Sequence, residues 1–146
     1  MKPVGIVIAS SKKLIVQSIS NSLAKDENTY VLPAANNIEE LIDCLEKSPL
    51  EILIIDQQML EELYIWKNIH PKTFKRALKV LLIASEKYIG NKNELPGFFP
   101  NQITFWEKGM DDLIVCFKLL QENKFLQLKP MNLLTALDKK GVVHLN

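Results

Sequence analysis

The chain has 146 residues, which suits one compact domain with a core large enough to fold alone. Charged residues make up 24% of it and the net charge is +1, which speaks against a strongly basic nucleic-acid module and against an acidic disordered segment. No apolar run approaches the roughly 20 residues needed to span a bilayer, and no charged leader followed by an apolar stretch opens the chain, so no membrane contact and a cytoplasmic location are expected.

The first strand is predicted at Val4 to Ala9, in VGIVIA, from its density of Val and Ile. The following SSKKLIVQSISNSLAK supplies serines able to cap a helix and then Ile15, Ile19 and Leu23 at helical spacing. A second strand is predicted at Tyr30 to Ala35. In NNIEELIDCLEKSP, Asn37 can cap a second helix with Glu40 three residues on, and Ile38, Leu41, Ile42 and Leu45 form one apolar stripe that Pro49 ends. The third strand, Leu50 to Asp56, drives a run of aliphatics into a single carboxylate. A third helix is predicted through QMLEELYIWKNIH, a fourth strand over Leu78 to Ala84, and a fifth over Ile103 to Glu107. Between these last two strands the stretch Tyr88 to Asn101 carries Gly90, Pro96, Gly97 and Pro100, so a fourth helix there is expected to be degenerate. A fifth helix follows in DDLIVCFKLLQENK, with Leu113, Cys116, Phe117 and Leu120 inward and Asp111 and Asp112 favourably placed at its start.

Alternating strands and helices call for an α/β domain, an open parallel sheet with helices on both faces, in which ligands gather at the carboxyl ends of the strands. Asp56 stands at such an end. A strand tip is where a short acid can reach solvent while the strand behind it stays buried.

These residues resemble a known family, the receiver domain of two-component response regulators. LEILIIDQQM is similar to the family's third strand with its phospho-accepting aspartate, and ITFWEKG to its fifth strand, which ends in a lysine. The resemblance runs over roughly residues 3 to 124, and the receiver-like domain is expected to occupy residues 1–126. It implies a flavodoxin-like three-layer sandwich with strand order 2-1-3-4-5. It also implies that Asp56 is the phosphoacceptor position, Lys108 the phosphate-contacting lysine, and Ala84 and Phe105 the two switch positions.

The chain also departs from the pattern. The family's first strand ends in a pair of acids that help hold magnesium, whereas Ala9 and Ser10 stand here. Magnesium prefers carboxylate, carbonyl and water oxygens, so its binding is expected to be weak or absent. Ala84 replaces a Ser or Thr at the end of the fourth strand, although a shift of one residue would bring Ser85 to that place. Gly109 replaces the usual proline after Lys108. Asp56 and Lys108 have a structural alternative as well: an ion pair at the top of the sheet, or Asp56 as the cap of the following helix.

The remaining features read as structural. Cys44 and Cys116 lie far apart on amphipathic segments and fit small buried side chains better than a disulfide or metal framework. Lys67, Lys72, Lys75, Arg76 and Lys79 make a basic stretch without a recognition-helix motif, so nucleic-acid binding by this chain is not expected. His70 sits at a helix end and His144 near the terminus, neither in metal-ligand company. The segment 127–146, with Leu133, Leu134 and Leu137, is read as a docking arm or the start of a further segment. The expected function is an atypical receiver that signals by protein interaction, with a histidine kinase, an effector or a second copy as partner, and without ordinary magnesium-dependent phosphorylation. A working phosphorelay receiver phosphorylated on Asp56 is the alternative. A small nucleotide or flavin enzyme is less favoured, because no glycine-rich phosphate loop occurs. No enzymatic activity is expected.

Overall fold

The structure, a computed structural model, describes residues 4–70, 78–85 and 100–122. In chain order the elements are β1 (Val4–Ala9), α1 (Lys13–Leu23), β2 (Thr29–Val31), α2 (Ile38–Lys47), β3 (Ile52–Asp56), α3 (Gln57–Ile69), β4 (Lys79–Ala84), β5 (Gln102–Phe105) and α4 (Gly109–Gln121). A single 3-10 turn, Trp106–Lys108, joins β5 to α4. The strands form one parallel sheet in the order β2-β1-β3-β4-β5. This is the flavodoxin-like sandwich expected from the alternation of elements. The helix α4 is the one the sequence places fifth. Residues 86–99, which contain most of the stretch expected to lack a regular helix, lie outside the described residues, as does the arm 127–146.

Successive strand residues point to opposite faces, and here both faces are apolar. Val7, Leu53, Ile55, Val80 and Leu82 face one core, closed by Leu41, Ile42 and Leu45 of α2 and by Met59, Leu60 and Leu63 of α3. Ile6, Ile8, Ile52, Ile54, Leu81 and Ile83 face the other, closed by Ile19 and Leu23 of α1 and by Leu113, Phe117 and Leu120 of α4. Every residue of β3 is buried, whereas β2 and β5 at the two edges are only partly covered. At roughly 1.5–3 kcal/mol per fully buried aliphatic side chain, the three central strands carry most of the hydrophobic stabilisation. Cys116 is buried and Cys44 partly so, and both are free thiols, as expected.

Local differences from the sequence reading have identifiable causes. The second strand stops at Val31 rather than Ala35 because Pro33 has no N–H for the ladder. Pairing with β1 resumes beyond it, where Ala35 N–H donates to Ile8 O and Ser10 N–H to Ala35 O, both at 3.0 Å. Strand β5 ends at Phe105, two residues early, where the chain tightens into the 3-10 turn. The serines before α1 do not cap it. Its N-cap position is Lys12, with no side-chain hydrogen bond, because the Ser10 hydroxyl is engaged elsewhere. Asp111 and Asp112 lie in the first turn of α4 as expected, although the N-cap position is Lys108 and carries no side-chain cap.

The second helix forms as its sequence dictates. Asn37 Oδ1 accepts from Glu40 N–H at 2.8 Å, and Glu40 Oε1 accepts from Asn36 N–H at 2.8 Å, so the side chains satisfy donors at and just before the helix start. The exposed Lys47–Asp43 pair at 2.8 Å adds little by comparison, because solvent screens it. Asn37→Ala is expected to lower unfolding free energy by about 1 kcal/mol in a urea titration, and Lys47→Ala by well under about 0.5 kcal/mol. Equal losses would show that the cap is not what anchors α2.

Candidate functional site

Strand β3 is buried along its whole length, and its last residue, Asp56, is also the N-cap residue of α3. Its backbone is extended, with φ −85° and ψ 166°, which turns the carboxylate back over the first helical turn. There Asp56 Oδ1 accepts from Met59 N–H at 2.8 Å. The neighbouring strand brings a second partner. Ala9 pairs with Ile55, so the next residue on each strand, Ser10 and Asp56, meet at the carboxyl edge of the sheet. Ser10 Oγ donates to Asp56 Oδ2 at 2.6 Å and accepts from Lys12 N–H at 3.1 Å. Ser10 is 2% exposed and Asp56 5%. The carboxylate that ends the apolar strand is therefore satisfied at both oxygens by the protein itself.

Around Asp56 lies a cleft of about 250 Å³ lined by Lys12, Asp56, Gln57, Gln58, Glu61, Ser85 and Trp106. Ala84 is fully buried beneath it and contributes no group to it, while Ser85 brings the hydroxyl to the cleft and donates it to Glu107 Oε2 at 3.2 Å. Ala9 is likewise wholly buried. Phe105 pairs with Ala84 across the sheet and packs, partly buried, on the core between the sheet and α2 and α3. Lys108 stands at the same end of the sheet but is exposed, lines no part of this cleft, and makes no ion pair or hydrogen bond with Asp56. The Cys116 thiol of α4 lies in a mixed polar setting. Burial, reinforced by the Asp112 carboxylate, pushes that thiol up from its ordinary value, against smaller downward pulls from Thr104 and Lys108. Of the two structural alternatives for Asp56, the structure shows the helix cap.

Lys12, Glu61 and Trp106 are cleft residues that the sequence reading did not single out. Their signals were present but ambiguous. Lys12 lies in the polar loop after the first strand, Glu61 one helical turn beyond Gln57, and Trp106 at what read as the end of a strand. Only closure of the sheet brings these three segments together.

The donor set decides what the cleft can hold. Two carboxylates line it, Asp56 and Glu61, with Lys12 beside them, and both Asp56 oxygens already accept from protein donors. A hard divalent ion wants about six oxygen ligands in near-octahedral array, and the neutral Ser10 hydroxyl holds one of the Asp56 oxygens. These residues do not fit a magnesium centre. Among the described residues no group of three or more His, Cys, Asp or Glu side chains is placed to hold a metal ion.

A separate polar contact fastens the edge of the sheet. Thr104, 1% exposed, donates its hydroxyl to Asp112 Oδ2 at 2.6 Å and so joins β5 to the first turn of α4. Gly109, between them, has φ +81°, a conformation that L side chains rarely adopt.

No protein-family model matches the chain, and no curated protein matches it in sequence. Solved structures do match. The isolated REC domain of RcsB from Salmonella enterica serovar Typhimurium, solved in the presence of the phosphomimetic BeF3-, superposes with a TM-score of 0.65 at 18% identity over 93% of this chain and 99% of that one. A chain from the structure of two RcsB dimers bound to two parallel DNAs gives 0.70 at 18% identity, over 99% of this chain and 72% of that one. A chain of the complex between the P1 domain of CheA3 and CheY6 from R. sphaeroides gives 0.63 at 14% identity, over 84% and 99%. The chain spans 62% of the Salmonella RcsB chain bound to promoter rprA. At these identities the likeness is one of architecture. With its parallel five-stranded sheet in the order 2-1-3-4-5 and an aspartate at the tip of the central strand, the chain has the fold of response-regulator receiver domains.

Proposed function

We propose that this chain is a receiver-fold signalling domain that acts by binding another signalling protein, with Asp56 serving as a fixed structural cap instead of a magnesium-dependent phosphoryl acceptor. The observation that carries this reading is the pair of hydrogen bonds to its carboxylate, from Ser10 Oγ–H at 2.6 Å and Met59 N–H at 2.8 Å. Phosphoryl transfer to a carboxylate gathers negative charge, which a divalent ion normally offsets while orienting the attacked phosphorus. Here Ala9 and Ser10 offer no carboxylate for that ion, Ala84 offers no hydroxyl, and Lys108 makes no ion pair with Asp56.

On this reading residues 1–126 are the receiver unit and 127–146 an arm that docks or leads onward. The partner is a histidine kinase, an effector or a second copy, and the domain has no catalytic activity of its own. No helix among the described residues is long and apolar enough to cross a membrane, which accords with a cytoplasmic place of action. No glycine-rich phosphate loop occurs in the sequence, which weighs against a nucleotide or flavin enzyme.

One observation favours a second reading, the working phosphorelay receiver. The cleft beside Asp56 is open, and Lys12 and Ser85 on its wall offer a cation and a hydroxyl to a phosphoryl group. Intact-mass measurement after incubation with acetyl phosphate, with and without magnesium, separates the two. Slow labelling indifferent to magnesium is the expected result. Losing several kcal/mol of transition-state stabilisation at about 1.4 kcal/mol per tenfold slows transfer by orders of magnitude. Rapid magnesium-dependent gain of one phosphoryl group, abolished by Asp56→Asn, would establish the phosphorelay reading instead.

The structural role makes a second, independent prediction. Asp56→Ala removes the α3 cap and leaves the buried Ser10 hydroxyl without its acceptor, so unfolding free energy should fall by about 1–3 kcal/mol in urea titration. Asp56→Asn keeps an acceptor for either donor and should lose less, about 1 kcal/mol. An alanine variant as stable as the parent would remove the structural role.

A further inference from the structure

A serine hydroxyl carries one proton, and the direction in which that proton points decides what Asp56 can do. Ser10 Oγ is held from both sides, accepting from Lys12 N–H at 3.1 Å and lying 2.6 Å from Asp56 Oδ2. With its acceptor side occupied and a carboxylate in front, the hydroxyl donates to Oδ2. Ser10 and Asp56 are 2% and 5% exposed, so bulk water competes poorly for either group. The other carboxylate oxygen holds Met59 N–H. Asp56 thus bridges the end of β1 to the first turn of α3 through two neutral donors, one at each oxygen.

We propose that Ser10 is the positioning residue of this cleft: its hydroxyl locks Asp56 into the cap of α3 and makes the carboxyl edge of the sheet a single-state structure that does not respond to divalent cations. The inference rests on the reading that Asp56 is not a magnesium-dependent phosphoryl acceptor and names the residue that makes it so. A carboxylate at position 10 would face Asp56 as a like charge at hydrogen-bonding range, an arrangement that a cation between the two would relieve. A hydroxyl removes the need for that cation. One side chain therefore decides whether the β1–β3 edge depends on a divalent ion.

The test uses the full chain and two variants, Ser10→Ala and Ser10→Asp. Amide exchange at Met59 is followed relative to Leu53 in the buried centre of β3, which separates local opening from global unfolding. In Ser10→Ala, Met59 should exchange faster by about tenfold or more, as loss of one charge-assisted hydrogen bond implies. The melting temperatures of wild type and Ser10→Ala should be indifferent to magnesium and manganese. Ser10→Asp should melt lower than wild type without a divalent ion and recover when magnesium or manganese is added. Met59 exchange within about twofold of wild type in Ser10→Ala would overturn the positioning role while leaving the proposed function standing. A folded Ser10→Asp protein that ignores both ions would overturn it equally. Should Ser10→Asp not fold, the alanine exchange measurement decides the question alone. Rapid magnesium-dependent phosphorylation of wild type would instead remove the proposed function and this inference with it.

Discussion

A carboxylate buried at the end of an apolar strand must have both its oxygens satisfied, and the carboxyl edge of this domain is organised around that requirement. Asp56 cannot retreat from its position, because Ile52 to Ile55 are locked between two cores and α3 begins at the next residue. Leaving one oxygen unpaired at this depth would cost about 1–3 kcal/mol or more, an appreciable share of the stability of a small domain. Met59 N–H and the Ser10 hydroxyl remove that penalty. In doing so they tie β1, β3 and α3 together at one point.

This arrangement changes the electrostatics of the edge. An acid-rich cleft repels itself and depends on a bound cation, whereas this one sets two carboxylates against one ammonium and neutral amides and hydroxyls. The resulting cleft is shallow in charge and small in volume. Its remaining distinctive group is Trp106, which lines the cleft where β5 gives way to a 3-10 turn and also packs on the core beneath α1 and α4. The lysine that the same turn delivers, Lys108, is carried to the side of α4. There Asp112, Thr104 and Cys116 form a second polar group that holds β5 onto its helix.

The two polar groups divide the labour along the sheet edge. The bond between buried Thr104 and Asp112 helps fix the outer strand β5, whose apolar side chains Ile103 and Phe105 are only partly buried. Asn101 helps from the other end, its side chain accepting from Val80 N–H at 2.7 Å while its N–H donates to Val80 O. The inner strands need no such help.

Much of the architecture was legible in the sequence because it follows from local rules. Runs such as LEILIID are apolar on both alternating faces and so announce a strand covered on both sides, and the stripe of α2 with its Asn37 cap announces a helix with a defined start. The placement of Asp56 at a strand tip was legible for the same reason, whereas the reading of Ser10 as standing in an acid's place came only from the resemblance to receiver domains. What Asp56 does there was not. Whether it pairs with Lys108, caps α3 or stands free depends on which segments meet at the carboxyl edge, and Ser10, separated from it by 46 positions, is brought to 2.6 Å only by the pairing of β1 with β3. The chain alone names the strand and the acid that ends it. Tertiary structure decides the partners, because hydrogen bonds act over a few ångströms in space and are blind to distance along the chain.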